Sequence, residues 1–163
     1  MYDPATALKG TEAVFTAHSE SPAVVALKAL ATDALFDRDE LTIEVAPESN
    51  IAAVTALKAA GYNFLEDVTA VDWYPSEPRF QITYHILSHS FKSRIRLVSR
   101  LFSEGASIDS IIPIWPSANF YEREIFDLFG VHFGGHPNLT RIMMPEDWQG
   151  HPLRKDYPVE GYR

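Results

Sequence analysis

The sequence predicts an α+β domain, a mostly antiparallel sheet with helices packed on one face, followed by an extended irregular C-terminal tail. Three observations carry this. Apolar residues alternate with polar ones at Leu41–Val45, Phe80–Ile86 and Ile95–Leu101, the period of half-buried strands. They recur at helical spacing in Pro22–Leu35, in Ile51–Leu57 and around Tyr121–Phe129. Beyond Gly134 both patterns vanish, and four Pro and four Gly fall within the last 30 residues.

Residues 1–20 lack strong periodicity and are read as a flexible N-terminal segment. Pro22–Leu35 reads as one helix with Val24, Leu27, Ala31 and Leu35 along its inner side. Leu41, Ile43 and Val45 form a strand, and Pro47 opens a second helix whose stripe is Ile51, Val54 and Leu57 and whose C′ residue is Gly61. Phe64–Trp73 is a strand candidate that ends at Pro75–Pro78. Phe80–Ile86 and Ile95–Leu101 are close enough to form an antiparallel hairpin. In the second of these, Arg94, Arg96 and Arg100 share one face. That stripe is either a solvated sheet face or a basic surface that receives an acidic partner segment, because like charges on one strand face repel unless something lies opposite. The domain is thus expected over residues 21–133, and the tail over 134–163.

The 22 acidic and 14 basic residues leave a net charge of −8, which argues against non-specific nucleic-acid binding and against direct docking on anionic lipid. The tail itself is neutral, so the acidic excess lies in the domain. Cysteine is absent, so no disulfide, thiolate-held zinc or cysteine-ligated iron–sulfur cluster can form. The first residues, MYDPATALKG, show no basic region ahead of an apolar stretch, and no run approaches the roughly 20 apolar residues of a membrane span. The chain is expected on the cytoplasmic side, reaching a membrane only through partners.

The segment Phe120–Phe129 is expected to form a helix stopped by Gly130, with Asn119 as a capping-box residue opposite Glu122. Tyr121, Ile125, Phe126, Leu128 and Phe129 share one arc. Arg123, Glu124 and Asp127 lie outside it, and Arg123 and Asp127 are spaced to pair on the surface. Glu122 falls on the apolar side. It either reaches back to its own cap or pairs with an arginine, the candidates being Arg141 and the Arg94/Arg96 row. Glu122 and Glu124 point to nearly opposite sides of the helix, and Glu146 and Asp147 are adjacent in a turn, so neither pair suits acid/base catalysis.

The tail combines backbone breakers with large side chains: Ile142, Met143, Met144, Trp148, Leu153 and Tyr157. A segment of this kind is expected to gain its shape by lying on another protein and to be mobile in the isolated chain. Trp148 is either an anchor for a partner or packed on its own domain. Arg154 and Lys155 read as specific ion-pair donors. His132, His136 and His151 lack metal-ligand spacing, and His136 and His151, each preceding Pro, are expected to position the chain by hydrogen bonds. No phosphate-cradling glycine loop is present, so NADH or flavin binding by this chain is not expected.

The stretch from Trp115 to Pro158 is similar to the 30 kDa-type subunit of respiratory complex I, the proton-pumping NADH:quinone oxidoreductase. Glu122, Arg123 and Glu124 match the family's ERE, and Asp127, Leu128 and Gly130 its following motif. His136, Pro137, Arg141, Pro145, Glu146, Asp147, Trp148, Pro152, Leu153, Arg154, Lys155, Asp156 and Tyr157 match the tail signature. Phe120 departs from the family's usual Trp, and Thr140 from a usual basic residue. The resemblance implies a non-catalytic, cofactor-free subunit of the hydrophilic arm, on the cytoplasmic face of a bacterial inner membrane. It implies as partner the large subunit that helps form the quinone site, with FMN, iron–sulfur clusters and quinone held by other subunits. The tail residues just named, with Glu122, Arg123, Glu124 and Asp127, are then interface or structural positions. Related subunits serve membrane-bound hydrogenases and F420-linked or photosynthetic complexes, which these motifs do not separate.

Overall fold

Alternating apolar residues build one six-stranded sheet in the computed structural model, which describes residues 7–161. Its strands are β1 (Leu8–Lys9), β2 (Ala31–Asp37), β3 (Glu40–Val45), β4 (Phe64–Asp72), β5 (Phe80–Ser88) and β6 (Ser93–Leu101), in spatial order β1-β2-β3-β6-β5-β4. Every neighbouring pair is antiparallel except β3 and β6, which run parallel with Ile43 opposite Leu97. A crossover through the helical layer joins those two, as a parallel pair requires. A small parallel pair, β7 (Ser107–Asp109) and β8 (His132–Gly134), brackets the last helix in sequence.

Four α-helices, α1 (Thr11–Ala17), α2 (Pro22–Leu27), α3 (Asn50–Ala59) and α4 (Ala118–Phe129), supply the second layer. Val14, Leu27, Val54, Leu57 and Ile125 bury with Ile43, Tyr84, Ile86, Ile95 and Leu97 in a single core on one sheet face. Two helix ends follow directly from glycine. Gly61 takes φ +99° while its N–H donates to the Lys58 carbonyl and that of Tyr62 to the Leu57 carbonyl, the paired bonds of a Schellman ending. Gly130 closes α4 in the left-handed region at φ 75°.

The opposite sheet face is polar. Arg94 pairs with Glu66, Arg96 with Glu40 and Arg100 with Glu44, while His85 Nδ1 lies 2.5 Å from Asp67. The carboxylates that meet the arginine stripe therefore come from strands β3 and β4 of the same sheet, with no external acidic segment needed.

Two expectations change. Residues 1–6 of the N-terminal segment lie outside the described residues, but β1 and α1 occupy much of the remainder and Val14 is fully buried. The single helix over Pro22–Leu35 is instead α2 followed by β2. Ala34 and Phe36 face the core, and Ala31 packs against it on the far side of a register shift, but Leu35 does not, because pairing with Ile43, Leu41 and Val45 on β3 outweighs the helical spacing. The connection that makes this hairpin is the two-residue turn Arg38–Asp39, both at positive φ (51° and 60°), the backbone of a tight twisted hairpin turn.

Candidate functional site

Helix α4 and the tail form one unit, and its centre is Asp127. The carboxylate sits on α4 and is fully buried. Its Oδ2 accepts three consecutive backbone N–H groups of the tail, from Ile142 (2.9 Å), Met143 (2.7 Å) and Met144 (2.9 Å), while Arg141 Nη1 donates to Oδ1 at 2.7 Å. Burial alone would push this acid up, but the three N–H groups and the guanidinium hold it below the usual carboxylate range. The expected surface pair of Arg123 with Asp127 does not form, because the tail lies over the carboxylate. Arg123 instead donates to the Thr140 carbonyl and hydroxyl and to the Arg141 carbonyl, a second tether on the same stretch.

The tail then folds back over the C-terminal end of α4. His151 Nδ1–H donates to the Asp127 carbonyl at 2.9 Å, and Leu153 N–H donates to the Leu128 carbonyl at 3.0 Å. The His151 ring lies against Gly130, where a Cβ would meet ring atoms at 2.6 Å. Glycine is therefore needed there twice, for its φ and for this approach. Burial, with Arg154 and Arg141 nearby, keeps the imidazole below its ordinary pKa and hence neutral. Arg141 Nη2 also donates to the Gly150 carbonyl, closing the turn that carries Trp148.

Farther along, the tail reaches the end of the sheet. Lys155 N–H donates to Asp72 Oδ2 at 2.8 Å, and Asp156 accepts from Arg79. The Arg154 guanidinium lies 5.1 Å from the Phe80 ring centroid, within cation–π range. Tyr157 donates its hydroxyl to the Gln149 carbonyl, and His136 bridges the Asn119 carbonyl and the Asn138 N–H. Glu124, Glu146, Asp147 and Trp148 are exposed.

Glu122 is fully buried, and neither alternative read from the sequence describes it. Ser110 Oγ donates to one carboxylate oxygen at 2.6 Å and Ile111 N–H to the other at 2.8 Å, so the acid stitches α4 to the β7 exit. Arg141 is committed to Asp127, and Arg94 and Arg96 are on the far sheet face. With no cation beside it among the described residues, burial raises this acid, against the pull of its two hydrogen bonds. The α4 cap also differs: the helix starts at Ala118 after Ser117, and no side chain caps it.

What the tail leaves outside is as informative as what it ties down. Phe120 (61% exposed), Ile142 (38%), Met143 (62%), Trp148 (39%) and Leu153 (51%) stay open on α4 and the tail. Among the described residues no three His, Asp or Glu side chains converge to hold a metal ion.

The family described as "Respiratory-chain NADH dehydrogenase, 30 Kd subunit" matches residues 43–163. The chain belongs to it. The chain is 47% identical over 144 residues to an NADH-quinone oxidoreductase subunit of Citrifermentans bemidjiense, covering 85% of this chain and 89% of that one. Among solved structures, a trypsin-resistant fragment of Nqo5 is 32% identical with a TM-score of 0.58, covering 61% of this chain and 83% of the fragment. A chain of the membrane-bound sulfane sulfur reductase, an archaeal respiratory membrane complex, shares the fold with a TM-score of 0.74 at 24% identity over 86% of each chain.

The signature by which the 30 kDa family is recognisable in sequence thus maps onto the tail and its tethers. Sequence reasoning missed Asp72, Arg79 and Ser110, which complete the set from outside the motif. A paired Asp and Arg seven residues apart across a Pro-rich connector was the available cue for the first two, but nothing local marked Ser110. Among the described residues no helix is long and apolar enough to cross a membrane.

Proposed function

We propose that this chain is a non-catalytic structural subunit of the peripheral, hydrophilic arm of a proton-pumping NADH:quinone oxidoreductase, on the cytoplasmic face of a bacterial membrane. Its α4–tail unit docks on the large subunit that helps form the quinone site. FMN, iron–sulfur clusters and quinone are held by other subunits, and this chain fixes their neighbour in place.

One observation carries the reading. The Arg141 guanidinium and the backbone N–H groups of Ile142, Met143 and Met144 turn inward onto the buried Asp127 carboxylate, while Phe120, Ile142, Met143, Trp148 and Leu153 present their side chains outward. Large apolar and aromatic side chains presented on an ordered backbone are the composition of an interface centre, and exposure alone gives them no stabilising role. Family membership supports complex I as the assembly that would supply the covering partner.

Co-expression with the large subunit tests it. Met143→Asp combined with Trp148→Ala is expected to lower capture at least tenfold with the melting temperature unchanged. Val25→Ala, at an equally exposed apolar residue on α2, is expected to leave capture intact. Equal capture by all three chains, or NADH-dependent quinone reduction by the purified chain alone, would overturn the reading.

A further inference from the structure

At the sheet end the tail meets a socket whose own bonds are made without it. Arg79 Nε and Nη2 donate to the two oxygens of Asp72, both at 2.8 Å, so the pair spans the connector from the last residue of β4 to the residue before β5. The guanidinium lies 4.9 Å from the ring centroids of both Tyr74 and Phe80, and Tyr74 N–H donates to Asp72 Oδ1. None of these bonds involves the tail. The socket leaves an outward guanidinium edge and a lone pair on Asp72 Oδ2. The tail fills both: Asp156 takes Arg79 Nη1 at 2.9 Å and Nη2 at 2.6 Å, and Lys155 N–H takes the lone pair at 2.8 Å.

We propose that Asp72 and Arg79 are positioning residues that hold the tail in its partner-binding shape in the free chain, with Asp156 as the tail's half of the clasp. This rests on the docking reading above. The side chains of Arg79 and Asp72 are only 7% and 1% exposed, so water screens the socket little, and a guanidinium engaged bidentately on two sides has little freedom to turn. With Asp127 fixing residues 141–144 and the clasp fixing 155–156, the stretch bearing Trp148 and Leu153 becomes a closed loop. A closed loop has fewer conformations to lose on binding, so the partner meets a surface already formed. The tail is thus ordered within its own chain before assembly. This departs from the expectation that a neighbour shapes it.

Hydrogen exchange and limited trypsin digestion of the purified chain, without partner, test the clasp. The wild-type amides of Met143, Met144 and Lys155 are expected to be protected, and cleavage after Arg154 and Lys155 slow. Asp156→Asn removes only the tail's half, at a side chain 41% exposed, so the domain keeps its fold. It is expected to raise Lys155 exchange and that cleavage about tenfold, to leave β5 and β6 amides unchanged, and to weaken capture of the large subunit by a similar factor. Arg79→Gln is expected to do the same more strongly, and where it does not fold, Asp156→Asn decides. A wild-type tail exchanging at unstructured rates would overturn the proposal. So would an Asp156→Asn chain whose tail loosens without loss of capture; if Met143→Asp with Trp148→Ala still abolishes capture, the docking surface stands and only the clasp falls.

Discussion

Replacing Asp127 by Asn is the sharpest perturbation of this chain, because one oxygen serves three tail amides. A charged acceptor contributes about 1.5–3 kcal/mol per hydrogen bond, against about 0.5–1.5 kcal/mol for a neutral one. Neutralising Oδ2 therefore costs on the order of 1 kcal/mol at each of the Ile142, Met143 and Met144 bonds. On the other side, Arg141 loses its carboxylate and meets an amide. Solvent relieves little of this, since the two side chains are 16% and 0% exposed. The sum reaches about 3–5 kcal/mol, the range for breaking a buried ion pair. It falls on tail docking before it falls on the sheet, because the bonds lost join the tail to α4. Exchange of the three amides should then rise roughly 100-fold or more, at about 1.4 kcal/mol per tenfold. Amide exchange read by mass spectrometry or NMR measures it, with β5 amides as internal reference. Unchanged protection at Ile142, Met143 and Met144 would refute the claim that this carboxylate orders the tail.

Three further outcomes follow from the same geometry. Glu122→Gln keeps an acceptor for Ile111 N–H and removes an unpaired buried charge, so urea melts at neutral pH should shift by less than about 1 kcal/mol. Glu122→Leu orphans the Ser110 and Ile111 donors and should cost about 2–4 kcal/mol. Gly130→Ala, strained at φ 75° and driven into the His151 ring, should cost about 1–3 kcal/mol and loosen the tail first, as trypsin digestion will report. For pH, Asp72 is held at about 2 (burial opposes this, and Arg79 with the Lys155 and Tyr74 amides overrides it), and Asp127 also lies low. Their stabilisation is complete above about pH 4 and lost as pH falls toward 2. His151, also lowered, adds a loss that begins below about pH 6.5, whereas raised Glu122 acts with the opposite sign. Urea melts between pH 7.5 and 4.5 should therefore show the parent chain losing more stability on acidification than His151→Gln does.

Strand alternation made β3, β5 and β6 legible, because one buried face imposes a period of two that nothing else in those segments contradicts. Gly61 and Gly130 were equally readable, since a positive φ at a helix end selects glycine. The Ala31–Asp37 strand was not: Ala31 and Leu35 continue the spacing of Val24 and Leu27, and no Gly or Pro separates α2 from β2. Only the pairing partner, forty-odd residues into the chain, decides it. The tail was legible only in part. Its Pro and Gly content does exclude helix and strand, and no strand or helix follows Gly134 among the described residues. Composition does not show, however, where its N–H groups go. Three of them go to Asp127 and one to Asp72, which lies more than eighty residues away in sequence. Glu122 was legible as an acid on the apolar side of the helix arc, but its burial and its donors were not, because Ser110 and Ile111 sit on a loop the helical pattern cannot see.

Hydroxyl-radical footprinting of Met143 and Trp148, in the free chain and in the purified respiratory complex, bears most directly on the idea that the outward side of the tail is a docking surface. Both residues should oxidise readily when the chain is alone and become several-fold protected on assembly, while His132, exposed on β8, serves as an accessible reference. Oxidation of Met143 and Trp148 that is the same in both states would contradict it.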